Sequence, residues 1–128
     1  MIVVDTSALI AIMSREPEAQ ACAALIRKPE PTVITAANFL ETMIVASKRD
    51  YGREMAHFIE TMGIEIYPVD ASLAREAVTA HLRFGRGNHP ARLNYGDCFS
   101  YALAKRLGCP LLYVGHDFRR TDLVPAHA

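Results

Sequence analysis

Leu93-Asn-Tyr-Gly-Asp97-Cys-Phe-Ser-Tyr-Ala-Leu-Ala-Lys-Arg-Leu-Gly108-Cys-Pro110-Leu-Leu-Tyr-Val-Gly115-His-Asp117-Phe-Arg-Arg-Thr-Asp122-Leu123 decides the fold, because it reads as helix, turn, buried strand and acidic loop. The helix follows from apolar residues at Phe99, Ala102, Leu103 and Leu107, a helical spacing, with Asn94 or Tyr95 at its start and Gly108 just past its end. Pro110 forbids its continuation. Leu111 to Val114 is a short apolar run of the kind found in a parallel strand covered on both faces, and it leaves through Gly115 towards Asp117. Two carboxylates thus flank one helix-strand unit. Asp97 falls in the helix's first turn, where the macrodipole favours negative charge, and Asp117 falls past the carboxyl end of a strand, where open α/β sheets bind their ligands.

The chain opens in the same way, with the β-branched run Ile2-Val3-Val4 stopping at Asp5-Thr6-Ser7 before the apolar Ala8 to Met13. A parallel sheet places the carboxyl ends of its strands on one edge, so Asp5 and Asp117 are expected to be neighbours in space. Asp before Thr-Ser is equally a good helix N-cap, and Asp5 alone carries either reading. The repetition shifts the balance towards a site.

Between these ends, strand and helix alternate. Pro17 reads as a first-turn residue of a helix through Ala19, Cys22, Ala23, Leu25 and Ile26 to Lys28, which Pro29 and Pro31 end. Thr32 to Thr35 reads as a strand, and Thr35 caps a helix carrying Ala36, Phe39, Leu40, Met43, Ile44 and Ala46 towards the core. Tyr51 to Met62 is amphipathic and stops at Gly63; Ile64 to Val69 alternates like a strand; Asp70 or Ser72 caps a helix through Leu73, Ala74, Ala77, Val78 and Leu82. This order predicts an α/β fold, a three-layer α/β/α sandwich around a mainly parallel sheet, as a single domain over residues 1–128.

A length of 128 residues with 51% hydrophobic residues suits one globular core. No cationic region precedes the first apolar run, and no apolar stretch approaches the roughly 20 residues a membrane span requires, so a soluble cytoplasmic protein with no membrane partner is expected. Cys22, Cys98 and Cys109 are odd in number and form no Cys-x-x-Cys pair, which argues against a disulfide framework or zinc site. Net charge is zero, from 14 basic and 14 acidic residues, but its distribution is uneven. From Ala77 to Gly96 no acid occurs, while His81, Arg83, Arg86, His89 and Arg92 surround the turn-rich Gly85 to Pro90. A mobile basic loop is expected ahead of Asp97, either solvated or set against substrate phosphates through Arg86 and Arg92.

Four acids stand out by position: Asp5, Asp97, Asp117, and Glu41 inside the apolar stretch after the second strand. A carboxylate between Leu40 and Met43 either lies on the solvated side of its helix or is held by a cation. Crowded carboxylates repel unless neutralised, and Mg²⁺ or Mn²⁺, which prefers carboxylate and water oxygens, neutralises them while activating water for attack on a phosphodiester. Other classes with such a sheet lack their residues here. A haloacid-dehalogenase-type phosphatase needs Asp where Ser7 stands, a receiver domain needs Lys after the last strand, and neither nucleotide-binding Gly-rich loop occurs.

At Ile2-Val-Val-Asp5-Thr-Ser7-Ala-Leu, Glu41, Leu93 to Ala104 and Leu111 to Leu123 the chain resembles the PIN domains, and within them the small VapC-type toxins of bacterial toxin–antitoxin pairs. The resemblance implies a divalent-metal-dependent endoribonuclease with Asp5, Glu41, Asp97 and Asp117 as catalytic acids and Asp5, Asp97 and Asp117 as metal ligands. It implies supporting roles for Ser7, Thr121 and Asp122, a Mg²⁺ or Mn²⁺ cofactor, an RNA substrate, a VapB-type antitoxin and a homodimer. The antitoxin's tail would lie along the helices near Glu41 and bring an Arg to the acidic pocket. A catalytically silent module of the same fold, binding RNA or an antitoxin through the basic loop, is the alternative. One departure is His116, where the family commonly has Asn, beside Asp117.

Overall fold

The apolar runs become four parallel strands in the order β3-β2-β1-β4: β1 Ile2–Val4, β2 Thr32–Thr35, β3 Glu65–Tyr67 and β4 Leu111–Leu112. The computed structural model describes residues 1–127. Six helices connect the strands: α1 Thr6–Met13, α2 Ala19–Arg27, α3 Ala36–Lys48, α4 Gly52–Thr61, α5 Ala71–Phe84 and α6 Tyr95–Leu107; a 3-10 turn, Asp117–Arg120, follows β4. Alternation along the strands builds two cores. Val3, Val33 and Leu111 face α5 and α6, whereas Ile2, Val4, Ile34 and Leu112 face α1 to α4, so β1 is covered on both sides. The α/β sandwich follows from this covering.

Several boundaries differ from the sequence reading. Pro17 lies in the turn before α2, which starts at Ala19 after Glu18, because Ala19 N–H is already bonded to Glu16 O. The last strand stops at Leu112 rather than Val114, since Val114 N–H donates to the Ser7 hydroxyl instead of to a strand. The third is cut to Glu65–Tyr67, an edge strand that ends at Pro68. Leu40 and Ile44 were assigned to the core by periodicity but are exposed, as are Val78 and Leu82, because no neighbouring element covers those sides of α3 and α5. The free edge of β4 is covered by the C-terminal segment, through Leu111 N–H to Val124 O and Ala126 N–H to Leu111 O.

The basic loop is closed by bonds of its own. Arg86 N–H donates to Leu93 O and Leu93 N–H to Phe84 O, His89 Nδ1 accepts from Ala91 N–H, and the His89 ring meets Phe84 edge-on at 4.9 Å. Arg86 and Arg92 project from it, both exposed.

Candidate active site

Strand adjacency creates the site. β1 pairs with β4 in the register Val4 to Leu112, and Asp5 N–H continues the ladder to Leu112 O at 2.9 Å, so Asp5 and the segment carrying Asp117 leave the sheet side by side. Asp5 caps the helix, as the sequence allowed, and stands at the sheet edge beside β4. Its Oδ2 caps α1 by accepting Ser7 N–H at 3.0 Å and the Ser7 hydroxyl at 2.6 Å, while Oδ1 accepts from Ser100 Oγ of α6 at 2.5 Å. Ser7 Oγ also accepts from Val114 N–H at 3.0 Å, tying the ends of β1 and β4 together.

Asp97 is positioned by a capping box: Asn94 Oδ1 accepts Asp97 N–H at 2.9 Å and Asp97 Oδ2 accepts Asn94 N–H at 3.0 Å. Burial, with the charges of Asp5 and Asp117 close by, pushes its carboxyl up to about 8. Burial raises Asp5 as well, and the bonds from Ser100 and Ser7 offset this in part before the charge of Glu41 adds to it. Asp117 opens the exposed 3-10 turn. Asp97, whose ionisation the charges of Asp5 and Asp117 make costlier, is therefore held beside them at one sheet edge.

Glu41 is the fourth, and neither reading of it from sequence was complete. It is half-buried and turned into the site, held by neutral donors: Thr6 Oγ1 donates to its Oε1 at 2.6 Å and Asn38 Nδ2 to the same oxygen at 3.3 Å. Asn38, wholly buried one turn before Glu41, also donates to Gly96 O at 3.0 Å and accepts from Thr35 Oγ1 at 2.6 Å, so it fastens α3 to the start of α6. Sequence reasoning missed Thr6, Asn38, Gly96 and Ser100. Asn38 left a trace, a polar residue three positions before Glu41 on the same helix face. Asn38→Ala is expected to destabilise the fold by about 1.5–3 kcal/mol, since it strips the buried Gly96 carbonyl of its donor and the buried Thr35 hydroxyl of its acceptor, and equilibrium denaturation measures it.

Thr121 and Asp122 are not brought to these acids. Thr121 Oγ1 donates to Phe118 O at 2.7 Å, closing the turn that begins with Asp117, and Asp122 accepts from Tyr101 Oη at 2.5 Å, Lys105 Nζ at 3.1 Å and Arg83 at 3.4 Å. Asp122 thus anchors the segment carrying Asp117 to α5 and α6, and Thr121 secures the turn itself. His116 makes no side-chain cap bond to the turn; the strand ends are joined through Ser7 instead.

Among the described residues no three of His, Cys, Asp or Glu are already drawn together as a metal-holding group. The donor chemistry nevertheless fits a hard divalent cation, being all carboxylate and hydroxyl oxygen, with burial first and then the charges of Asp5 and Asp117 raising Asp97 to about 8. No sulfur or imidazole competes for such an ion through the hydrogen bonds described around Asp5, Glu41 and Asp97.

Fold and acidic edge together define a class. The PIN domain family model matches residues 2–124, and the chain belongs to that family. Within it, the chain is 43% identical over 128 residues to Ribonuclease VapC of Mycolicibacterium smegmatis, covering 98% of this chain and 99% of that one. Among solved structures it is similar to Mycobacterium tuberculosis VapC20, described as a sarcin-ricin loop cleaving toxin, with a TM-score of 0.79, 19% identity and full coverage of both chains. A toxin-antitoxin complex from Klebsiella pneumoniae has the same fold, at a TM-score of 0.73 and 21% identity over 95% of this chain and 93% of that one. Among the described residues no helix is long and apolar enough to cross a membrane.

Proposed function

We propose that this chain is a divalent-metal-dependent endoribonuclease, with Mg²⁺ or Mn²⁺ as cofactor, acting as the toxin of a toxin–antitoxin pair. The observation that carries the reading is the gathering of Asp5, Asp97 and Asp117 at the β1-β4 edge with Glu41 facing them across α6, in a chain so similar to Ribonuclease VapC. Asp5, Asp97 and Asp117 would hold the ion, which when bound polarises a phosphoryl oxygen and makes water more acidic. Ser7 and Ser100 fix the orientation of Asp5, and Asn94 that of Asp97. Thr6 and Asn38 occupy Oε1 of Glu41, leaving Oε2 to take the proton of the attacking water as its oxygen bonds to phosphorus and the ribose oxygen departs. Thr121 and Asp122 act at one remove, by holding the turn that presents Asp117.

Purified protein and mixed cellular RNA test the reading. Internal cleavage that requires Mg²⁺ or Mn²⁺ and stops with chelator is the expected result; RNA binding without cleavage under any metal condition would favour the silent module. Arg86 and Arg92 are assigned to substrate phosphates, because they project from an acid-free loop that leads into the helix bearing Asp97. Replacing both with Ala should flatten the salt dependence of RNA binding by about 0.7 per lost contact, read in an Asp5→Asn background so that RNA survives.

The partner is a small VapB-type antitoxin, whose tail lies along the helices beside Glu41 and carries an Arg to the acids, and the toxin pairs as a homodimer. Exposed Leu40 and Ile44, flanking Glu41 on α3, supply an apolar track for that tail.

A further inference from the structure

Tyr95 is 80% exposed, more than any other large hydrophobic side chain among the described residues, although it opens the helix that carries Asp97. Its ring meets buried Phe99 in a T-shaped contact at 5.1 Å, which orients it while leaving a face open. That ring borders a groove of about 590 Å³ between α5 and α6, floored by Val78, Leu93 and Phe99 and edged by Arg86 and Asn94. The volume is that of a small-ligand site. No acid lines it, and the sequence from Ala77 to Gly96 contains none, so the surroundings complement a polyanion. The groove is also joined to the acids, because Asn94 lines it while exchanging two hydrogen bonds with Asp97. Asn94 spends only its Oδ1 on that cap, and its Nδ2 makes no other hydrogen bond among the described residues.

We propose that this groove is a nucleobase subsite, in which an unpaired base of the RNA stacks on Tyr95 while the scissile phosphate lies at the acids. The proposal rests on the endoribonuclease reading. A helix with its side chains is about 10–12 Å across, so a strand crossing the amino end of α6 carries a base only a few nucleotides from that phosphate to Tyr95. Exposed aromatics beside cations are the usual means of holding single strands, each stacked base adding affinity with little dependence on sequence. The Asn94 amide then meets acceptors on the base edge while Arg86 keeps to the phosphates.

The chain has no Trp, so Tyr95→Trp introduces a lone indole that reports stacking by quenching. It is titrated in a Glu41→Gln background with Mg²⁺ against hexauridylate, hexaadenylate and an abasic ribose-phosphate hexamer. Quenching by both base-bearing hexamers and none by the abasic chain is expected. Tyr95→Ala should weaken binding of the base-bearing hexamers roughly 5- to 100-fold and leave the abasic chain unaffected, with Tyr95→Phe close to the parent. Equal loss for the abasic chain, or no loss at all, overturns the subsite. So does unchanged hexamer binding by Tyr95→Ala with loss of self-association in sedimentation, which would make the groove a protein-docking face. If the parent binds hexamers and Tyr95→Ala is neutral, only the subsite falls; if the parent binds none and the chain with Glu41 intact cuts no RNA, the endoribonuclease reading falls with it.

Discussion

Asp97→Asn should lower RNA cleavage on the order of 10³-fold or more while raising the thermal stability of the metal-free protein at pH 8. The opposite signs have one cause. Burial beside Asp5 and Asp117 raises the Asp97 carboxyl to about 8, so the folded chain holds that proton more tightly than the unfolded chain does. The associated stability is complete below the ordinary carboxylate range, near pH 4, and is lost as pH rises through about 8. Asn has nearly the same shape, keeps an oxygen for Asn94 N–H, and carries no charge to be buried. Calorimetry in chelator from pH 5 to pH 8.5 should show the wild-type melting temperature falling and the variant's falling less, with the two converging at the acidic end. A variant less stable than wild type at pH 8, or one with near wild-type turnover, would contradict the assignment.

Gly96→Ala should cost about 10²- to 10⁴-fold in turnover and about 1–3 kcal/mol of stability. A Cβ at Gly96 would lie 2.5 Å from Oε2 and 2.6 Å from Oε1 of Glu41, closer than atoms approach, so one of them must move. The carboxylate is the far end of a flexible side chain, whereas Gly96 is fixed by Asn38 Nδ2 on its carbonyl and by the start of α6. Glu41 therefore gives way, losing the hydroxyl of Thr6 and its aim into the site, at a cost of about 1–3 kcal/mol. Single-turnover kinetics should show slower cleavage with RNA affinity kept. The double variant with Glu41→Gln should be no slower than the slower of the two single variants, since both changes remove the same group. Additive losses would mean that Gly96 acts elsewhere.

The order of strands and helices was legible because apolar runs of four residues or fewer, bounded by Asp, Gly and Pro, have few alternatives to buried parallel strands. The places of Asp5, just past such a run, and of Asp97, in the first turn of α6, were legible as well. Glu41 was not, because its direction depends on Thr6 and Asn38, which reach it from another helix and from one turn away and replace the expected cation with neutral donors. The exposure of Leu40, Ile44, Val78 and Leu82 was hidden for a related reason: periodicity marks apolar positions but not whether an element is present to cover them. Asp122 was given a supporting role by the resemblance, and the form of that support, bonds from Tyr101, Lys105 and Arg83, is decided only by the packing of α5 against α6.

The central claim is that the carboxylates at the β1-β4 edge form a divalent-cation site. Its most direct test is the melting temperature of chelator-stripped protein at pH 8 on titration with Mn²⁺, because an ion that binds only the folded state raises stability with the logarithm of its concentration. The account predicts a progressive rise for wild type and its loss in both Asp5→Asn and Asp97→Asn. No rise for wild type, or an equal rise in all three proteins, would contradict it.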